Sequence, residues 1–154
     1  MFSQTAEYSL RAVVWLASQA GDSLTTHEIA AATQVPPDYL SKVMRALARG
    51  GLVQAQRGKH GGFTLTRRAE EITALDVVNA VDPIRRIHRC PLELTAHENQ
   101  LCRMHRRMDE AIRMMERALE ETPISELTPE AESDAAGAQF CRTQFCRIGE
   151  AAHA

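Results

Sequence analysis

Cys90, His97, Cys102 and His105 fall within one stretch, RCPLELTAHENQLCRMHRRM, residues 89 to 108. Two thiols and two imidazoles so close together are poor core-filling material and good ligand material. Thiolates are soft donors suited to zinc and to iron–sulfur clusters, and imidazole serves either. Cys102 and His105 stand three apart, so a helix turns both to one side and lets them share one centre. Cys90 has to fold back from a loop, which the eleven intervening residues allow, and Pro91 stiffens its turn. Plainer readings compete: Cys90 and Cys102 as buried apolar thiols, His97 as a solvent-exposed loop residue, His105 as a residue packed on its helix. A second pair, Cys141 and Cys146 in QFCRTQFCR, is separated by five and could share a ligand role only from a loop. That pair could equally be spare thiols, a redox couple or a further contribution to the first site.

The elements that must position these groups belong to a chain of 154 residues, 44% of them hydrophobic, which fits one domain with extensions and a real core. The formal net charge of -2 points to no particular partner, but its distribution does. Residues 35 to 68 carry Lys42, Arg45, Arg49, Arg57, Lys59, Arg67 and Arg68 against Asp38 alone, whereas residues 118 to 137 carry six acids and no base. A basic middle predicts an anionic partner there. No apolar run approaches membrane-spanning length. The N-terminus carries Glu7 and Arg11 inside its apolar pattern, unlike a signal peptide. A cytoplasmic protein is expected, in which four cysteines argue for ligation or redox chemistry over structural disulfides.

Hydropathy spacing predicts a first helix through TAEYSLRAVVWLASQAG with Leu10, Val13, Val14 and Ala17 on its apolar face. LTTHEIAAATQV opens with a capping box, Thr25 with Glu28, stapled by Leu24 and Ile29. A third helix starts at Pro37, buries Leu40, Val43, Met44 and Leu47, and stops at Gly50-Gly51. Val53, Ala55, Phe63 and Leu65 then alternate as strands do, around a glycine-rich basic reversal at residues 58 to 62. Thr73 and Asp76 repeat the capping box, with Ile72 and Val77 as the staple and Pro83 as the stop. After the cysteine segment, Leu101, Met104, Met108, Ala111, Met115 and Ala118 step by three and four. That makes a heptad seam, widened by Ile112 and Leu119, fit for packing against a second copy; an ordinary amphipathic helix is the competing reading. Residues 122 to 154 read as an acidic, mobile tail.

Helix, short helix, basic helix, hairpin is the order of a winged helix-turn-helix. The fold class expected is mainly α with a small β-hairpin wing, followed by a long dimerisation helix. The boundaries are 1–83 for the winged domain, 84–99 for a cysteine/histidine sensor loop, 100–121 for the dimerisation helix and 122–154 for the tail. The third helix enters the major groove in such folds, and the wing lies beside it. The residues placed to touch double-stranded promoter DNA are Pro37, Asp38, Tyr39, Ser41, Lys42 and Arg45, with Arg57, Lys59, His60 and Gly61 on the wing. No nucleophile–base pairing suggests an enzyme. A protein-interaction module on the same scaffold is the alternative from another class.

The stretches AEYSLRAVVWLA, TTHEIAAATQVPPDYLSKVMRALARGGLVQAQRGKHGGFTL and ITALDVVNAVD resemble the IscR/NsrR/CymR family of bacterial regulators, the Rrf family, over residues 1 to about 120. The Tyr39-Leu40 pair, the Gly51-Leu52-Val53 exit and the wing from Arg57 to Gly62 carry the likeness. The resemblance implies a homodimer in which a long helix from each subunit crosses the other. It also implies three cysteines holding an iron–sulfur cluster, [2Fe–2S] favoured, that sets DNA affinity. This chain departs from that pattern. Cys90 and Cys102 stand at the first and last positions, the middle place near Ala96 has none, and His97 is adjacent. His105 matches a position where some members use histidine, and Glu7 matches a carboxylate supplied from the other subunit. The implied ligand set is Cys90, Cys102, a histidine and Glu7. Zinc or a thiol switch on the same residues is the alternative.

Overall fold

The computed structural model describes residues 2–19, 21–58, 61–90 and 101–128. Helices α1 (Gln4–Ser18), α2 (Thr26–Thr33) and α3 (Pro37–Arg49) lead into strands β1 (Val53–Gln56) and β2 (Gly62–Leu65). A 3-10 turn at Ala69–Glu71, helices α4 (Ala74–Val81) and α5 (Arg103–Glu120), and a second 3-10 turn at Ile124–Leu127 complete it. Among the described residues, no helix is long and apolar enough to cross a membrane.

The two capping boxes form as the sequence predicts. The Glu28 N–H donates to Thr25 Oγ1 at 3.2 Å while the Thr25 N–H donates to Glu28 at 2.7 Å. Thr73 and Asp76 exchange the same pair of bonds at the start of α4. Each box satisfies amides that the first helical turn leaves without partners, so both starts are set locally. Between α2 and α3, Gln34 takes the left-handed conformation at φ 56°, which turns the chain sharply into the two prolines that open α3. Leu40, Val43, Met44 and Leu47 of α3 are all buried, as the spacing predicts.

The face of α1 differs from expectation. Ala6, Ser9, Ala12, Val13 and Leu16 are buried, whereas Leu10, Val14 and Ala17 are half-buried at the edge of the core. The reason is crowding: α1 packs against α2, α3 and α4, and small side chains let those helices approach. Ser9 tolerates full burial because its hydroxyl donates to the Ala6 carbonyl at 2.7 Å.

The hairpin pairs Val53 with Leu65 and Ala55 with Phe63 in antiparallel register. Val53 is buried and Phe63 and Leu65 pack on the core, but Ala55 is exposed, so the alternation holds only in part. Leu24, just before α2, adds a third rung by exchanging backbone hydrogen bonds with Phe63 at 3.1 and 2.7 Å. That rung demands glycine beside it: a Cβ on Gly62 would lie 2.5 Å from the Leu24 carbonyl. The base of the wing is thus laced to the helical core. Lys59 and His60, at its tip, lie outside the described residues.

The chain after α5 turns back toward the helices. Residues 122 to 128 return to the core. The Ala74 N–H donates to the Thr122 carbonyl at 2.9 Å, and the Ile124 N–H donates to the Ile72 carbonyl at 2.8 Å. Ile124 is fully buried, beside a bridge between Thr73 and Pro123. One isoleucine among prolines and acids has no periodicity to betray it, and only the partner surface left by Ile72 and α1 gives it a place. Residues 129 to 154, with Cys141 and Cys146, lie outside the described residues. Ile124→Ala is expected to destabilise the fold by about 3 kcal/mol, the usual cost of an isoleucine-sized cavity in a closed core. Urea unfolding of the variant checks this; a loss under about 1 kcal/mol would mean that the return segment is not part of the core.

Candidate functional site

Three of the chemistry-bearing residues meet at the start of α5. Cys102 is the residue that caps this helix, its Sγ accepting the His105 N–H at 3.5 Å. The first helical turn then brings His105 Nδ1 to 3.2 Å from Cys102 Sγ. Cys90 approaches from the other side, with its Sγ at 3.5 Å from the same ring nitrogen. The three donor atoms all lie within 4.8 Å of one another. Cys90 and His105 are 7% and 8% exposed, so this is an interior cluster and not a surface coincidence.

The spacing tests the fit to a metal. Bonds of about 2.3 Å to sulfur and about 2.0 Å to nitrogen separate tetrahedral donors by roughly 3.4–3.8 Å. The observed distances of 3.2 and 3.5 Å, inside an outer limit of 4.8 Å, need only small side-chain adjustments to close on one ion. The donor set is soft and borderline, right for zinc or for one iron of a cluster. Glu7 is not brought to this cluster within the chain; it is half-buried on α1 and forms an ion pair with Arg11. His97 lies outside the described residues.

A second arrangement lies farther along α5, and sequence reasoning missed it. Arg86 grips Asp109 with two bonds, Nε at 2.7 Å and Nη2 at 2.5 Å, and reaches Glu116 with Nη1 at 3.2 Å. The Ile87 N–H adds a third bond to Asp109, at 3.0 Å. The Arg86 side chain, donating to Asp109, holds that carboxyl at a pKa of about 2, with help from the Ile87 N–H and the nearby charge of His88, against the opposing effect of burial. Arg86 is in turn held more firmly protonated, chiefly by Asp109. The available signal was two carboxylates seven apart on one face of an arginine-rich helix.

On α3 and the wing, Pro37, Asp38, Lys42, Arg45 and Arg57 are exposed. Ser41 is half-buried and donates to the Pro37 carbonyl at 3.0 Å, while Arg45 Nε donates to the Ser41 carbonyl at 3.1 Å. Tyr39 is not simply outward-facing. It is half-buried, packed edge-to-face on Tyr8 with ring centroids 5.4 Å apart, and its hydroxyl lies 2.5 Å from Thr5 Oγ1. Gly61 is half-buried, and a Cβ there would meet the Gln56 carbonyl at 2.7 Å. Along α5, Met104 and Met108 are 57% and 49% exposed, Ala111 is exposed, and Leu101, Ile112, Met115 and Leu119 are half-buried. His105 is the one buried residue of this helix.

Comparison with known proteins brings these observations together. The family described as Rrf2, iron-dependent transcriptional regulator, matches residues 2–130. A protein of Aquifex aeolicus named as an HTH-type transcriptional regulator is 27% identical over 130 residues, 82% of this chain and 90% of its own. The structure of CymR, the global cysteine regulator of B. subtilis, superposes with a TM-score of 0.68 at 23% identity, over 82% of this chain and 95% of that one. IscR of T. potens gives a TM-score of 0.70 at 19% identity, over 88% and 90%. Both solved structures share the winged-helix fold with this chain.

The Asp109 pKa carries a pH prediction. A carboxylate whose folded pKa is depressed adds stability that is fully present above its unfolded value, near 3.8, and lost as pH falls through about 2. Wild type should therefore lose stability between pH 4 and pH 2 more steeply than Asp109→Asn, which has no carboxylate to titrate. Chemical unfolding of both proteins across that range measures it. Parallel curves would mean that Arg86 does not depress Asp109.

Proposed function

The chain belongs to the Rrf2 family of transcriptional regulators, DNA-binding proteins and not enzymes, and on that premise we propose that it is a homodimeric promoter-binding regulator whose DNA affinity is set by an iron–sulfur cluster. The observation that carries this reading is the trio of buried Cys90, half-buried Cys102 and buried His105, with donor atoms within 4.8 Å at the start of α5. Glu7 of the partner subunit is the proposed fourth donor, with [2Fe–2S] the favoured cluster. When bound, such a cluster supplies a redox-responsive group sensitive to oxidants, nitric oxide or iron supply. The chain's own part is to hold two thiolates and one imidazole at the point where the loop meets the long helix. Because α5 carries the exposed Met104 and Met108, a change at its first turn acts where the second copy is proposed to pack. That couples the centre to the spacing of the two recognition helices. Zinc is the second reading, favoured by the fact that the donor spacing suits a single ion.

For the DNA side, α3 offers Pro37, Asp38, Tyr39, Ser41, Lys42 and Arg45 to the major groove, and the wing offers Arg57, Lys59, His60 and Gly61 beside it. Arg57, Lys42 and Arg45 are the basic groups of this set that stand exposed among the described residues. They are suited to phosphates and to guanine edges.

Anaerobic purification tests the cluster. Wild type should carry iron and sulfide with visible absorbance, and Cys90→Ala and Cys102→Ala should each abolish both. Full iron, sulfide and absorbance in Cys90→Ala would sink the cluster reading; stoichiometric zinc without iron in wild type would put zinc in its place. Promoter binding should depend steeply on salt, as phosphate contacts require.

The dimer has its own test. Met108→Glu with Met115→Glu would set like charges against their symmetry mates in an apolar seam. Loss of the dimer and of DNA binding together is expected by light scattering and gel shift. A double variant that stays dimeric would rule out this face of α5 as the interface.

A further inference from the structure

Two of the three donors in the cluster are placed by α5 itself. Cys102 and His105 sit on its first turn, and one caps the other's amide. Cys90 is not on that helix. It ends a segment, residues 83 to 90, that has no helix or strand of its own. Its sulfur nevertheless lies 3.5 Å from His105 Nδ1.

We propose that Arg86, with Asp109 and Glu116, is the positioning clamp that presents Cys90 to the metal centre. The proposal rests on the reading of Cys90, Cys102 and His105 as a ligand set. The geometry supports it in three steps. First, the segment runs antiparallel to α5, with Arg86 on Asp109 and Glu116 and Cys90 on Cys102 and His105. Second, the lengths agree. Asp109 follows His105 by four residues, about 6 Å along the helix. Ile87, tied to Asp109 by its N–H at 3.0 Å, precedes Cys90 by three residues, a reach of at most about 10 Å. Fixing Ile87 on Asp109 therefore leaves Cys90 enough chain to arrive one helical turn away and little more to wander. Third, the grip is directional. A planar guanidinium takes Asp109 by two parallel bonds and spends a further N–H on Glu116. The side chains of Arg86 and Asp109 are only 23% and 15% exposed, whereas the neighbouring Arg85 and Arg89 are exposed.

The clamp acts through preorganisation. A thiolate carried on a free segment must be ordered when the metal arrives, and that ordering weakens binding. With Arg86 in place the ordering is already done, and all donors await the ion. Partners of this kind typically change metal affinity by about 10–100-fold when removed, although they are not themselves ligands. Arg86 should behave so.

Cobalt(II) is a suitable probe, because its thiolate charge-transfer absorbance scales with the number of bound sulfurs. The full chain, prepared metal-free and reduced without oxygen, is titrated with cobalt at a temperature where circular dichroism finds each variant folded. Wild type should reach a two-thiolate spectrum and Cys90→Ser a one-thiolate spectrum. Arg86→Ala should bind about 10–100-fold more weakly yet still reach the two-thiolate spectrum at saturation. Arg86→Lys, which keeps the charge but not the fork, should fall between. That split between affinity and final spectrum marks a residue that positions a ligand without being one. If Arg86→Ala does not fold, Glu116→Gln, which removes one prong only, must still weaken cobalt binding. Wild-type affinity in Arg86→Ala, or in Glu116→Gln where Arg86→Ala does not fold, would overturn the clamp. A wild type with no Cys90-dependent cobalt signal would instead overturn the ligand set on which the clamp rests.

Discussion

Asp109 accepts three hydrogen bonds from the segment that leads to Cys90, two from Arg86 and one from the Ile87 amide. The attachment of α5 to the rest of the chain depends heavily on this one carboxylate. The helix buries a single residue, His105, so it is not held along its length by a core stripe. It is held near one end by the ion pair and at the other by the return of residues 122 to 128 onto Ile72 and Ala74. Packed against α4 as well, it keeps Met104, Met108 and Met114 outward. That outward apolar side is the one the proposed second copy would cover.

The winged domain is put together by different means. Its helix starts are decided locally by capping boxes, and its centre by close packing of small residues on α1 against three neighbours. The wing is fastened through the rung from Leu24 to Phe63, which only glycine at position 62 permits. On the recognition side, Tyr39 ties the start of α3 to α1 through Thr5 and Tyr8. Glu7 lies on the same turns of α1 as those two residues. Glu7 pairs with Arg11, whose guanidinium lies 5.6 Å from the centre of the Tyr8 ring.

Much of this was readable from residue order alone. Capping boxes, proline starts, glycine stops and the 3.6-residue stripe of α3 are local rules, and the chain obeys them at Thr25, Thr73, Pro37 and Gly50. The pairing of Cys102 with His105 is equally local, because helical geometry puts residues three apart on one side. The donor chemistry of thiol and imidazole needs no fold to be recognised.

Tertiary structure decided the rest, wherever the partner of a group is distant in sequence. Hydropathy put the buried face of α1 on its large apolar residues. Packing put it on Ala6, Ser9, Ala12, Val13 and Leu16, because α2, α3 and α4 crowd that side and leave Leu10 and Val14 at its edge. Ile124 looked like part of an acidic tail until Ile72 and α1 supplied the surface it fills. Arg86 looked like one arginine among several. Its selection over Arg85 and Arg89 comes from the direction in which the segment crosses α5, which no local rule states. Residue types named the chemistry available to this protein; long-range contacts chose which copies of those types meet.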